Sequence, residues 1–438
     1  TQEQADEARQ ADFGLIAKQE QAHEKSNASY FINYVISQIS EKYGDDAIYK
    51  DGLKIYTTLD MDAQNAAVAA MQNLPTMYTD QNGLHQPQGA IVAMNPHNGY
   101  IVAMVGGRGD DAFNRASQAE RQPGSAMKPF VYLAAIQSGK TPGSIVDDSP
   151  VDFNGWRPQN YERNFEGNIT YRYALQHSRN VPAVKIADEV GMSKIIKLAK
   201  EMGISTLTDQ DYNLSTALGG LTHGVTPLDM VQAYGVLANG GIKVQPTAIL
   251  KIVDRNGQVV EENSIQEKRV IDEKDAAIMT NMLESVINGG TGGNAAIGRP
   301  AAGKTGTTDD SKDAWFIGYT PDLVAAVWIG DDYGTETLHG ITGGSTPAVM
   351  WGQFMANALA NTPASDFSVP ASAQSAVSEG YYNPVKAQPK KEAAKDEKAD
   401  KKDDKDKSKD EAVKDDSGSK DDATEQKSNS SKSKKSSK

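Results

Sequence analysis

The sequence predicts an α+β fold, a five-stranded, mostly antiparallel sheet with flanking helices. Three observations carry this. Residues 90–94 and 100–105 are apolar runs either side of Asn95-Pro96-His97-Asn98-Gly99, and residues 314–318 and 323–330 flank Pro321-Asp322, so each pair reads as a hairpin. The stretch between the hairpins carries apolar residues at three-and-four spacing, the period of a helix. Residues 304–307 lie just ahead of the second hairpin and supply a fifth strand, so helices are inserted between two halves of one sheet.

In chain order, residues 1 to about 60 open with a Gln/Glu/Ala-rich helical stretch and the run Tyr30-Phe31-Ile32-Asn33-Tyr34-Val35-Ile36. Residues 53–60 then alternate like a strand, and 61–72 are good helix formers. After the first hairpin, Pro123-Gly124 is a turn signal directly before Ser125, and 129–136 read as helix, which places Ser125 at or near a helix N-terminus. Residues 171–176 are helical. Pro182 biases its predecessor away from helix, so Ser178-Arg179-Asn180 reads as a loop or helix junction. Further helices are expected at Met192–Met202, 227–237 and Glu273–Ile287, several of them ending at Gly. Gly289-Gly290-Thr291-Gly292-Gly293 lacks the Lys-Ser/Thr ending of a phosphate loop and reads as a flexible connection. A helix around 349–359 closes the domain, since Pro, Ser and Ala dominate from 361 onward. The expected division is a linker region over 1–60, a catalytic domain over 61–362 and a disordered tail over 363–438.

Composition narrows the function. Of 438 residues 38% are hydrophobic, enough for one large core with appendages. There is no cysteine, so disulfides and thiol sites are excluded, and the six histidines form no His-Glu-x-x-His pattern; neither a metal nor a cofactor is expected. From Lys386 to Lys438 the chain holds 17 Lys and 14 Asp or Glu, a net +3, which leaves the rest near −16 of the overall −13. The tail is a near-balanced polyampholyte too poor in apolar residues to fold. The acidic body argues against nucleic acid as a partner. No apolar run reaches membrane-spanning length and no signal-peptide pattern opens the chain; either it is cytoplasmic, or its targeting segment lies outside this sequence.

Chemistry concentrates in three strings: Ser125-Ala126-Met127-Lys128, Ser178-Arg179-Asn180 and Lys304-Thr305-Gly306-Thr307. Alone, each is more often a cap or turn than a site; together, in this order, they are specific. A Ser at a helix N-terminus has a free backbone N–H in a positive local dipole, suited to a developing oxyanion. Lys128, three residues on, shares its helix face and can take the Ser125 proton if burial or a second cation, for which Lys304 is the candidate, keeps it neutral part of the time. Ser178 is placed to relay that proton and Asn180 to donate to a substrate amide. Gly306 weakens a strand unless another backbone must come close, and a substrate pairing with this edge would supply that reason. Lys304, Thr305 and Thr307 would then hold a carboxylate, although strict alternation puts both threonines on the face opposite Lys304. His177, adjacent to Ser178, reads as local packing.

With these motifs the chain resembles the transpeptidase region of class A penicillin-binding proteins, from about Tyr30 to Leu359. The likeness extends to residues 89–107, Phe113-Asn114-Arg115-Ala116, residues 121–132, Pro158-Gln159-Asn160-Tyr161, Ala217-Leu218-Gly219-Gly220, Gly224-Val225-Thr226-Pro227 and residues 313–321. The resemblance implies a fold like that of serine β-lactamases, with Ser125 acylated, Lys128 its base, Ser178, Asn180 and Lys304 completing the site, and Thr305, Gly306 and Thr307 binding substrate. Trp156, Asn160 and Tyr161 would line the cleft. It implies peptidoglycan stem peptides as substrates and β-lactams as inhibitors. The membrane anchor and glycosyltransferase of that family would lie in a missing N-terminal part, with catalysis on the cell-wall side of a Gram-positive membrane and room for cell-wall synthesis proteins as partners. The rivals are a D,D-carboxypeptidase, a non-turnover β-lactam sensor, and a β-lactamase, whose water-activating carboxylate would have to come from Asp209 or Asp211.

Overall fold

A computed structural model describes residues 26–50, 52–109 and 111–381. The N-terminal Gln/Glu/Ala-rich stretch before residue 26 and the charged tail expected from Lys386 lie outside the described residues. Chain contacts divide the protein at Gln388, and everything described falls in the first unit.

Helix α1 (Ser29–Tyr43) buries Tyr30, Phe31, Val35 and Ile39. Strand β1 (Lys54–Thr57) follows, then α2 (Met61–Met71), capped by Asp60, whose carboxylate accepts the N–H groups of Asp62 and Ala63. The first hairpin is β2 (Gln88–Met94) and β3 (Ile101–Val105). The helical block comprises α3 (Lys128–Gln137), α4 (Tyr171–Gln176), α5 (Asn180–Val190), α6 (Met192–Met202) and α7 (Pro227–Ala238). Two strands, β4 (Ile249–Val253) and β5 (Val259–Glu262), lead to α8 (Glu273–Ile287). The chain closes the sheet with β6 (Ala302–Thr307), β7 (Asp313–Tyr319) and β8 (Val324–Gly330), and then forms α9 (Thr346–Ala358) and the short α10 (Gln374–Val377).

The main sheet runs β6-β7-β8-β2-β3, antiparallel throughout, as the two hairpins and the extra strand lead one to expect. Every residue of β2, β7 and β8 is buried, because both faces are covered. Val92, Met94, Trp315, Ile317 and Trp328 face one core with α3, α7 and α8; Ile91, Phe316, Val327 and Ile329 face a second with α2 and α9. The result is a helix–sheet–helix sandwich with β6 at its edge.

Two boundaries move. Phe31, Val35 and Ile39 sit in the first core and β1 pairs with β4 in a second sheet ordered β1-β4-β5, so α1 and β1 are packed structure where a linker was expected. Past 362, Ala373 and Ala376 are buried in the same core and Phe367 packs edge-on to Tyr319 at 5.6 Å, so the segment to 381 is no tail.

Candidate active site

The chain enters the site through Gly124, whose φ of 53° turns the backbone into a 3₁₀ turn, Gly124–Met127, that runs into α3. Ser125 lies in that turn rather than in the α-helix, with its carbonyl accepting the Lys128 N–H, and Lys128 opens α3. The turn is pinned on both sides: Trp315 Nε1 donates to the Gln122 carbonyl at 2.9 Å and the Tyr234 hydroxyl to that of Ala126 at 2.8 Å. Edge strand β6 lies across it. A Cβ on Gly306 would come within 2.4 Å of the Pro123 carbonyl oxygen, and one on Gly124 within 2.5 Å of the Thr307 carbonyl oxygen. Gly306 is therefore required by the protein's own turn around Ser125, a reason the sequence reading had sought in an approaching substrate.

Ser178 sits between α4 and α5 with φ of 54°, a left-handed conformation uncommon outside Gly. Arg179 caps α5 and Asn180 is its first residue. Pro182 lies within the first turn, where its missing N–H is not needed, so it begins a helix rather than ending one. Lys128 Nζ donates to the Ser178 carbonyl at 2.5 Å, to Asn180 Oδ1 at 2.7 Å and to Ser178 Oγ at 3.2 Å. Lys304 Nζ donates to the same Ser178 hydroxyl at 2.8 Å, and to the Thr305 carbonyl and hydroxyl at 3.1 and 3.3 Å. One hydroxyl thus stands between two fully buried lysines. Ser125 is a partly exposed residue.

Burial, then the Lys304 charge, hold Lys128 well below the ordinary lysine range, against the opposite pull of Glu162. Burial brings Lys304 down to about 7. Both amines are thereby close enough to neutrality to exchange protons, which an exposed lysine is not.

The threonines resolve the alternation problem in an unanticipated way. Thr305 Oγ1 pairs with Thr291 Oγ1 at 2.8 Å, and Thr307 Oγ1 accepts the Gly343 N–H at 3.0 Å. Thr291 belongs to the glycine-rich stretch expected to be a flexible connection. Its N–H instead bonds the Gln176 carbonyl at 3.2 Å, and Gly290 packs so close that a Cβ would lie 2.3 Å from that oxygen. Sequence reasoning missed Thr291, Gly343 and Tyr234, which carry no local pattern. Asn160, expected in the cleft wall, is buried and accepts the N–H groups of Asn180 and Val181; Trp156 and Tyr161 are exposed. His177 stacks on Tyr173 at 4.2 Å, as expected of local packing. Asp211 is buried as a loop staple to Thr208 and Thr222 and is not poised to activate water.

A sequence profile described as the penicillin binding protein transpeptidase domain matches residues 89–339. Penicillin-binding protein 1A of Aquifex aeolicus (strain VF5) is 32% identical over 84% of this chain and 62% of its own length. Penicillin-binding protein 2D of Bacillus subtilis (strain 168) is 37% identical over 79% and 51% respectively. The chain spans between 39 and 62% of the length of such relatives. Among solved structures, the PonA1 protein from Mycobacterium tuberculosis in complex with penicillin V is 30% identical with a TM-score of 0.71, covering 83% of this chain and 100% of that one. Penicillin-binding protein 1A from Haemophilus influenzae, 24% identical over 78% of this chain and 72% of that one, shares the fold with a TM-score of 0.71.

Proposed function

The chain belongs to the penicillin-binding protein transpeptidase family, as the transpeptidase region of a class A member, and on that premise we propose that it cross-links peptidoglycan by acyl transfer from D-alanyl-D-alanine stem peptides through Ser125. The observation that carries this reading is the Ser178 hydroxyl held between the Lys128 and Lys304 amines. Two like charges buried together are costly, and such an arrangement is characteristic of a site that needs a neutral amine.

In the first half-reaction Ser125 Oγ forms a bond to the penultimate carbonyl carbon while neutral Lys128 takes its proton. The backbone N–H groups of Ser125 and Thr307 hold the oxyanion. The C–N bond to the terminal D-alanine breaks, and its amine receives the proton from Lys128 through the Ser178 hydroxyl. Protonated Lys304 with the Thr305 hydroxyl binds the terminal carboxylate. In the second half-reaction an acceptor amine forms a bond to the acyl carbon and the ester C–O bond breaks, the amine's proton passing to Lys128 and on to Ser125 Oγ. A penicillin acylates the same serine through its lactam carbonyl, but its leaving amine stays tethered and the ester persists.

Among the described residues no helix is long and apolar enough to cross a membrane; the reading places this domain on the wall side of the cytoplasmic membrane, anchored by other parts of a longer protein. The test supplies a peptide ending in D-alanyl-D-alanine with and without an acceptor amine. Release of D-alanine with an amide product that grows with acceptor is expected. Hydrolysis alone at saturating acceptor would make the protein a carboxypeptidase.

A further inference from the structure

Arg179, between the two site residues of its motif, touches none of the reacting groups and enters the chemistry above only as a minor charge that helps lower the Lys128 amine, yet its side chain is 2% exposed and almost fully engaged. Its Nε and Nη2 donate to Asp148 Oδ2 at 2.9 and 2.8 Å, its Nη2 also to the carbonyl and side-chain oxygens of Asn164 at 2.7 and 2.8 Å, and its Nη1 to Glu162 at 3.0 Å. Asp148 is wholly buried. Its other oxygen accepts Asn160 Nδ2 at 2.7 Å, and Asn160 Oδ1 in turn accepts the backbone N–H groups of Asn180 at 2.9 Å and Val181 at 3.1 Å. One carboxylate therefore grips the chain immediately after Ser178 twice, directly by the Arg179 side chain and, through Asn160, by the start of α5.

We propose that Arg179 and Asp148 form a positioning clamp that holds Ser178 in its left-handed conformation, with its hydroxyl between the two lysines. The conformation needs such a hold because a serine does not choose it unaided. The Ser178 carbonyl is itself a Lys128 acceptor, so a rotation about this residue would move three of the contacts around Lys128 together. The fork geometry explains why arginine stands here: its planar donors reach Asp148 twice while still serving Asn164 and Glu162, which a lysine's single point cannot do. The inference rests on the acyl-transfer reading of Ser125.

The experiment measures penicillin acylation under saturation, separating the limiting rate from the concentration for half-saturation, across pH, with thermal midpoints alongside. Arg179→Lys keeps the charge and loses the fork; the limiting rate is expected to fall at least about 30-fold with half-saturation little changed. Its acid limb should stay in place, since the charges facing Lys128, namely Lys304, Glu162 and the residue at 179, keep their signs. Arg179→Met combined with Asp148→Leu exchanges the buried pair for apolar groups, a swap that often preserves stability. The clamp predicts that this variant, folded, still acylates slowly. Recovery of the rate along with the midpoint, or a wild-type rate in Arg179→Lys, would overturn the clamp and reduce the pair to a stability element. If wild-type protein takes no penicillin on Ser125, the underlying reading fails instead.

Discussion

Two buried amines that would each be charged in water share one part-buried hydroxyl, and their ionisation sets the pH behaviour of the site. On the proposed mechanism, acylation needs Lys128 neutral and Lys304 protonated. The rate constant at low penicillin should therefore fall in acid, as Lys128 gains its proton, and fall again above about pH 7, as Lys304 loses its own. A flat profile through neutrality would contradict these assignments. Replacing Lys128 by Arg, which cannot shed its proton, should abolish acylation and also lower the thermal midpoint, because it fixes a second charge beside Lys304 in a buried place. Burial also has a stability consequence. Lys304 has a folded value of about 7 against an unfolded value near 10.5, so its penalty is fully present below 7 and fades as pH rises between the two. Lys304→Met should raise the midpoint at pH 6 and lose that gain by pH 10.5, with an upper bound of about 5 kcal/mol. The motif residues were readable because catalysis imposes fixed local spacings on them. The pairings of Asp148 and Asn160, and separately of Thr291, were not read, since they join loops whose spacing follows no helix or strand period.

At the level of elements, the site is a crossing of edge strand β6 over the 3₁₀ turn of Ser125, with contact at main-chain distance. Gly306→Ala would push Cβ into the Pro123 carbonyl and shift the turn that carries Ser125. The expected outcome is a loss of about 100-fold in acylation rate for a destabilisation of only about 1–3 kcal/mol, read from kinetics and denaturant unfolding together. Equal, small effects on both would show that the crossing tolerates movement. The hairpins and long helices were legible because their apolar runs and periods are strong and local. Strands β4 and β5 were not, for they are short, partly exposed and acquire their identity by pairing, β4 with β1 and β5 with β4.

Across the whole molecule, the segment after α9 acts as a strap behind the site. Arg172 on α4, the helix leading into Ser178, donates to the Glu379 and Val377 carbonyls and to Asn281 and Ser285 of α8, and its guanidinium lies 3.9 Å from the Tyr381 ring centre. A low-complexity composition hid this segment, whose few apolar residues, Phe367, Ala373 and Ala376, suffice once Arg172 adds its bonds. Ending the chain after 362 should lower the thermal midpoint by about 5 °C or more and slow acylation, whereas ending it after 388 should leave both unchanged. An unchanged midpoint in the shorter form would show the strap to be dispensable. The central claim, that Ser125 is acylated and holds its acyl group, is tested most directly by intact mass and peptide mapping after brief exposure to a penicillin. One adduct per chain on the peptide containing Ser125, persisting for many minutes and absent from Ser125→Ala, is the expected result. An adduct on another residue, or equal labelling of Ser125→Ala, would contradict the account.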